Sequence, residues 1–212
     1  MLHRRHKRNR RHHQIVPYAV GGLVPDEWLE TYPDTVKSFM KAHGNEKVTS
    51  IKLWRQPVNS TVVKVLNGIS LGSLNKAMKK FGIDKLFHLG LWINDKYLLQ
   101  KNQVLSFSSG RPDSKAQIIP INFGGDFTIG EMVDKARRKQ GDNKFFIYDP
   151  FTANCQMFVK AMLSASGITV PTKFVDQQAE ELVKQLPGYV APIAKGLTDI
   201  AGILDLLKQK FT

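Results

Sequence analysis

Residues 87–106 read F-H-L-G-L-W-I-N-D-K-Y-L-L-Q-K-N-Q-V-L-S, and the reading of this stretch decides the fold class. Its two apolar runs, 88–93 and 97–106, are rich in side chains that suit a pleated, half-buried surface. Asn94-Asp95 between them accepts the backbone of a tight turn, so the stretch reads as a β-hairpin. Outward from it, 47–54 alternates as a strand closed by Arg55-Gln56-Pro57. A further apolar strand is interrupted by Pro120 and Gly124-Gly125, and 144–148 is an apolar and aromatic run of strand length closed by Asp149-Pro150.

Helical spacing appears on both sides of these strands. Trp28, Leu29, Tyr32, Val36, Phe39 and Met40 recur at helical intervals, with Pro33 predicting two short helices or a kink. Val62, Val63, Leu66, Ile69, Leu74, Met78 and Phe81 mark helices with a break near Gly72-Ser73. Thr128 caps a short helix over 129–138. Asn154 caps one over 155–166, whose apolar face is Phe158, Val159, Met162 and Leu163 and whose stop is Gly167. A helix is predicted over 173–186, ending at Pro187-Gly188, and a final amphipathic one follows with Val190, Ile193, Ala194, Leu197, Ile200, Ala201, Leu204 and Leu207. The class is therefore α+β: a small antiparallel sheet packed against the 155–166 helix, with additional N- and C-terminal helices. Trp28, Trp54 and Trp92 are expected in the core.

With 42% apolar residues in 212, the chain can bury one real core. Three parts are expected: a basic arm over 1–14, a domain over 15–186 and the amphipathic helix over 187–212. Of the net charge of +13, six units lie in the first eleven residues, where Arg4, Arg5, Lys7, Arg8, Arg10 and Arg11 meet no carboxylate, and the remainder is still +7. With only Met1 and Leu2 to bury, the arm is expected to stay unstructured. It serves as a solvated tail or nuclear address, or as a polyanion-binding arm for nucleic acid over 1–13. Its histidines (His3, His6, His12, His13) stand among repelling arginines, so no metal is expected there. No apolar run has the length of a membrane span, and the basic start lacks the apolar stretch of a signal peptide. The single cysteine excludes a disulfide framework within the chain and leaves Cys155 as a small hydrophobe or a reactive thiol.

A thiol attacks as thiolate, and a helix start supplies the positive potential that ionises it and the N–H groups that hold an oxyanion. Cys155 falls at such a start. A base must accompany it, and only His43 and His88 lie outside the arm. His43 precedes Gly44 at a helix end and reads as a surface residue, whereas His88 opens a strand and can stand on a sheet face. No cofactor is needed for this chemistry.

The motifs F-H-L-G-L-W-I and N-C-Q-M-F-V, in that order, resemble the H-then-N-C-x-x-F pattern of the circularly permuted papain-like superfamily. That group includes the lecithin:retinol acyltransferase family and NlpC-type amidases. R-Q-P-V, V-L-N-G-I-S-L-G, D-K-L-F-H-L, Q-K-N, Y-D-P-F-T-A-N-C-Q-M-F-V and P-I-A-K-G-L-T-D-I-A extend the likeness over roughly 50–205, most nearly to papain-like proteins of DNA viruses, polinton-like viruses and virophages. The resemblance implies a permuted papain-like fold with Cys155 as nucleophile and His88 as base. It also implies a polar third residue on the paired strand, with Asn102 preferred, then Gln100, and Lys101 also in reach, because a slip in register exchanges which side chain meets the imidazole. Asn154 and Gln156 are read as cap and helix-start residues, the Cys155 backbone N–H as oxyanion donor, and Asp149 as a turn residue before Pro150.

The function implied is a virus-encoded cysteine hydrolase or acyltransferase acting on an amide or ester of a peptide or lipid through a thioester. The alternative is a catalytically inactive minor virion protein whose arm touches nucleic acid and whose last helix, 189–211, docks on capsid protein or on a membrane surface. The location implied is virion, host cytoplasm or nucleus.

Overall fold

The computed structural model describes residues 32–58, 63–64, 67–68, 70–80, 85–102, 104–148 and 153–176. Its strands are β1 (Ile51–Pro57), β2 (Phe87–Ile93), β3 (Tyr97–Lys101), β4 (Leu105–Ser109) and β5 (Gln117–Pro120), joined in one antiparallel sheet of order β4-β3-β2-β1-β5. The helices are α1 (Asp34–His43), α2 (Ser73–Lys80), α3 (Ile129–Gln140), α4 (Asp142–Phe146), α5 (Cys155–Ala165) and α6 (Thr172–Val175). The protein is thus of the mixed α+β class expected.

The hairpin forms where its turn residues allow it. Asn94 and Asp95 both take positive φ, 55° and 53°, a region open to short polar side chains. Asn94 does more than turn: its Oδ1 accepts from the backbone N–H of Thr49 and Ser50, and its Nδ2 donates to Lys47 O. Alternation then sends Leu89, Leu91 and Ile93 of β2 to one face with Ile51 and Leu53 of β1 and Leu99 of β3, all but sealed from water.

That face carries α5, with α3 against α5 and α1 against β4. On α5 the expected stripe, Phe158, Val159, Met162 and Leu163, is fully buried. At roughly 1.5–3 kcal/mol per buried side chain, it outweighs the ~1 kcal/mol of an N-cap. Burial therefore holds the helix, and the cap decides where it begins: Asn154 Oδ1 accepts from Met157 N. Thr128 caps α3 through a full capping box with Glu131.

Several expectations need correction. The first strand lies at 51–57, not 47–54, because the backbone before it bonds elsewhere, Lys47 O, Thr49 N and Ser50 N to the Asn94 side chain and Val48 N to Phe127 O, while Arg55, Gln56 and Pro57 pair with Leu89, His88 and Phe87. The long strand 97–106 is two strands, divided after Lys101, where Asn102 N–H turns back to Val104 O. The run at 144–148 is no strand: the α4 turn spans most of it and swings Phe145 into the core against Phe158 and Tyr32. Of the 173–186 helix, one turn, α6, is described, and Asp176 after it is extended. Pro33 is the N-cap of α1, as a break there predicts. Trp54 and Trp92 share the sheet face opposite Leu53 and Leu91; Trp54 is buried, whereas Trp92 is only half-buried, under the Lys52 ammonium and donating to Gly110 O. The basic arm, Trp28 and the final amphipathic helix lie outside the described residues.

Candidate active site

The site sits where β2 and β3 part. Asn94 N–H reaches Ser50 O, and Val58 N–H reaches Leu86 O, so even-numbered backbone groups of β2 point to β1 and odd-numbered ones to β3. The β2–β3 ladder stops at Gly90 opposite Gln100. The next amide that would point to β3, that of Leu89, has no rung left to join. It donates instead to the sulfur of Cys155.

Asn154 starts α5 so that Cys155 is its first residue, buried against the sheet with 8% of its surface exposed. Burial by itself raises the thiol pKa. The hydrogen bond from His88 and the charge of its ring, then the backbone N–H groups of Leu89 and Gln156, outweigh that cost and hold the thiol below its ordinary value. Two of these four influences come from main-chain donors, one from the last rung of the sheet and one from the open first turn of the helix.

Behind the imidazole stands Gln100: His88 Nε2 and Gln100 Oε1 are 3.0 Å apart. With the amide oxygen accepting from Nε2–H, Nδ1 is the nitrogen left to exchange a proton with sulfur. Gln100 lies two residues along β3 from the position opposite His88, the diagonal of an antiparallel pair, and is almost wholly buried. The preferred third residue, Asn102, is a correction. It follows β3, past the last rung, where the chain has already turned.

Lys101 is not behind the imidazole either. Strand alternation sends it to the core face, where it is 1% exposed and its Nζ donates to Lys144 O and Ile147 O at 2.5 and 2.9 Å. Burial pushes its pKa down to about 8, and the nearby Cys155 charge pulls the other way. The ammonium thus fastens α4 to the sheet and adds positive potential behind the sulfur.

Two further residues escaped the sequence reading. Gln56 is the register partner of His88 on β1 and shares its face. Trp54, 3% exposed, meets His88 edge-on with ring centroids 5.4 Å apart, and its indole lies on Gly90 so closely that an added Cβ would sit 2.6–2.8 Å from it. It covers Gly90, the strand residue between His88 and the core hairpin, and packs against the edge of the imidazole. Gly90, an isolated glycine within a strand, was the available signal of such a close approach.

His43, the other described histidine, belongs to a different cluster: its Nδ1 lies 2.8 Å from Glu46 Oε1 and 3.0 Å from Tyr97 Oη. Asp149 lies outside the described residues, as do Arg4, Arg5, Lys7, Arg8, Arg10 and Arg11. Among the described residues no group of three or more His, Cys, Asp or Glu is placed to hold a metal ion, and no helix is long and apolar enough to cross a membrane. No family model, curated protein or solved structure matches the chain.

Proposed function

We propose that this protein is a cysteine-dependent hydrolase or acyltransferase of permuted papain-like fold, virus-encoded, acting on an amide or ester through a thioester. One observation carries the reading: a helix-opening thiol held below its ordinary pKa by an imidazole whose far nitrogen is fixed by a buried amide. The chain order supports the permutation, since the histidine strand β2 precedes the cysteine helix α5.

In this mechanism the Cys155 thiolate attacks the carbonyl carbon, and the carbonyl π electrons move to oxygen. The oxyanion accepts from the backbone N–H of Cys155 at the open end of α5. As the tetrahedral adduct collapses, His88 gives its proton to the departing amine or alcohol and a thioester remains. Water, or an acceptor alcohol or amine, then attacks while His88 takes its proton. Sulfur leaves as thiolate, and the imidazolium reforms beside it. Gln100 keeps the ring oriented throughout but, being neutral, stabilises the imidazolium less than a carboxylate would.

That neutral partner, together with the depth of Cys155, favours one second reading: an inactive papain-like virion protein. A thiol-reactive probe separates the two. The enzyme reading requires labelling of Cys155 that sets in below the pH range of a free thiol and falls by about 10²-fold or more in His88→Ala. Equal, slow labelling of both proteins favours the inactive scaffold.

A further inference from the structure

The chain between β1 and β2 leaves and returns at the catalytic end of the sheet. Pro57 pairs with Phe87, Val58 N–H donates to Leu86 O, and Gln56 and His88 stand opposite each other one rung further in. The excursion has a small core of its own, Leu74, Ala77 and Met78 with Val63 and Leu86, separate from the main one.

Its turn into α2 is firmly built and presents an unusual residue. Ser70, fully buried, donates through Oγ to Asn67 O and accepts from Leu74 N, while Asn67 Oδ1 accepts from Asn75 N and its carbonyl from Gly72 N. This network holds Leu71 at φ 51° with 81% of its surface exposed. A leucine is poorly suited to that backbone region and to that exposure, and glycine or asparagine would suit both better. The same stretch of chain is cationic: Lys64, Lys76, Lys79, Lys80 and Lys85 are all exposed, and the only carboxylate in the sequence between Glu46 and Asp95 is Asp84.

We propose that Leu71 and α2 form a docking surface for an anionic lipid membrane, with Leu71 entering the acyl layer and the α2 lysines meeting the headgroups. An exposed apolar tip just before a helix whose exposed charges are all cationic fits a bilayer interface, where hydrocarbon and anion lie a few ångströms apart. A nucleic-acid backbone would use the lysines and leave the leucine without a role. The inference concerns binding and does not depend on chemistry at Cys155.

The test uses the full chain with vesicles of phosphatidylcholine, with and without phosphatidylserine. Leu71→Asn, which keeps the turn, is expected to weaken binding to the anionic vesicles about tenfold. Lys76→Gln with Lys79→Gln is expected to weaken it about tenfold as well, with little effect on neutral vesicles. Unchanged thermal unfolding and thiol labelling show that both variants are folded. Because other basic segments can also hold the chain on vesicles, a second measurement reads insertion directly. An environment-sensitive dye on Leu71→Cys in a Cys155→Ala background should shift to the blue on anionic vesicles and become shielded from iodide. A dye that stays aqueous while the protein is bound overturns the proposal. So does wild-type vesicle affinity in Leu71→Asn, or a lysine variant that loses duplex DNA binding while keeping vesicle binding.

Discussion

The two ends of the β2–β3 hairpin each hold a histidine, and they are put to opposite uses. At the turn end, His43 meets a carboxylate and a phenol: Tyr97 Oη donates to Glu46 Oε1 at 2.7 Å, and the cluster ties α1 to β3. Glu46 answers its own desolvation with these bonds and keeps its pKa below the ordinary range, while burial and that carboxylate push Tyr97 up to about 12. Every partner there is satisfied by another side chain. At the splayed end His88 meets a neutral amide and a thiol, and the sulfur is satisfied by backbone amides that the sheet and helix leave over. The histidine beside the carboxylate is therefore not the one that meets the thiol. What distinguishes the site is a nucleophile set where regular structure runs out of acceptors.

The comparison is broken most severely at the rings. His88→Ala should cut the labelling rate of Cys155 at neutral pH by about 10²–10³-fold and move its onset to higher pH, because the imidazole lowers the thiol pKa. His43→Ala should leave labelling unchanged and cost about 1–2 kcal/mol in denaturant unfolding, from lost hydrogen bonds. Gly90→Ala comes next. Its Cβ would press on the Trp54 indole, so unfolding should show a loss of about 1–3 kcal/mol, and labelling should slow as the indole shifts against the imidazole. Gln100→Ala should lower turnover, or labelling at neutral pH, about tenfold, whereas Asn102→Ala should match wild type. Equal losses in both would move the orienting role off Gln100.

The smallest effect is expected at Lys101. Lys101→Met should slow labelling a few-fold by removing positive charge behind the sulfur. Its signature is clearer in stability. The folded protein holds the Lys101 proton less tightly than the unfolded chain, with a pKa near 8 against an ordinary 10.5. In that window the unfolded state binds more protons, so stability should rise with pH. That rise should be smaller in Lys101→Met. An identical slope in the two proteins would show that Lys101 does not titrate there.

What could be read from the sequence was local. Asn154 and Thr128 announced their helices because a cap acts within three residues, and Asn94-Asp95 announced the turn for the same reason. Cys155 and His88, which the structure brings together, were picked out by a helix start, a strand start and the family resemblance. The third residue was not: whether Gln100 or Asn102 meets the imidazole depends on where β3 leaves β2, a point at which Lys101 reaches into the core for the carbonyls of Lys144 and Ile147. The aromatic run at 144–148 was misread because period alone does not distinguish a short buried strand from a helical turn. Trp54 was expected to be buried, but its place over Gly90 and beside His88 depends on pairing across 36 residues of sequence, which no local pattern carries.

The amide that Leu89 offers to sulfur belongs to the main chain. Nineteen of the twenty coded residues would supply it equally, and proline alone would withdraw it. A comparison of sequences would thus find no mark of that contribution at position 89, although it helps to hold the Cys155 thiol below its ordinary pKa. Its persistence rests on geometry, on one strand parting from its neighbour a single rung early.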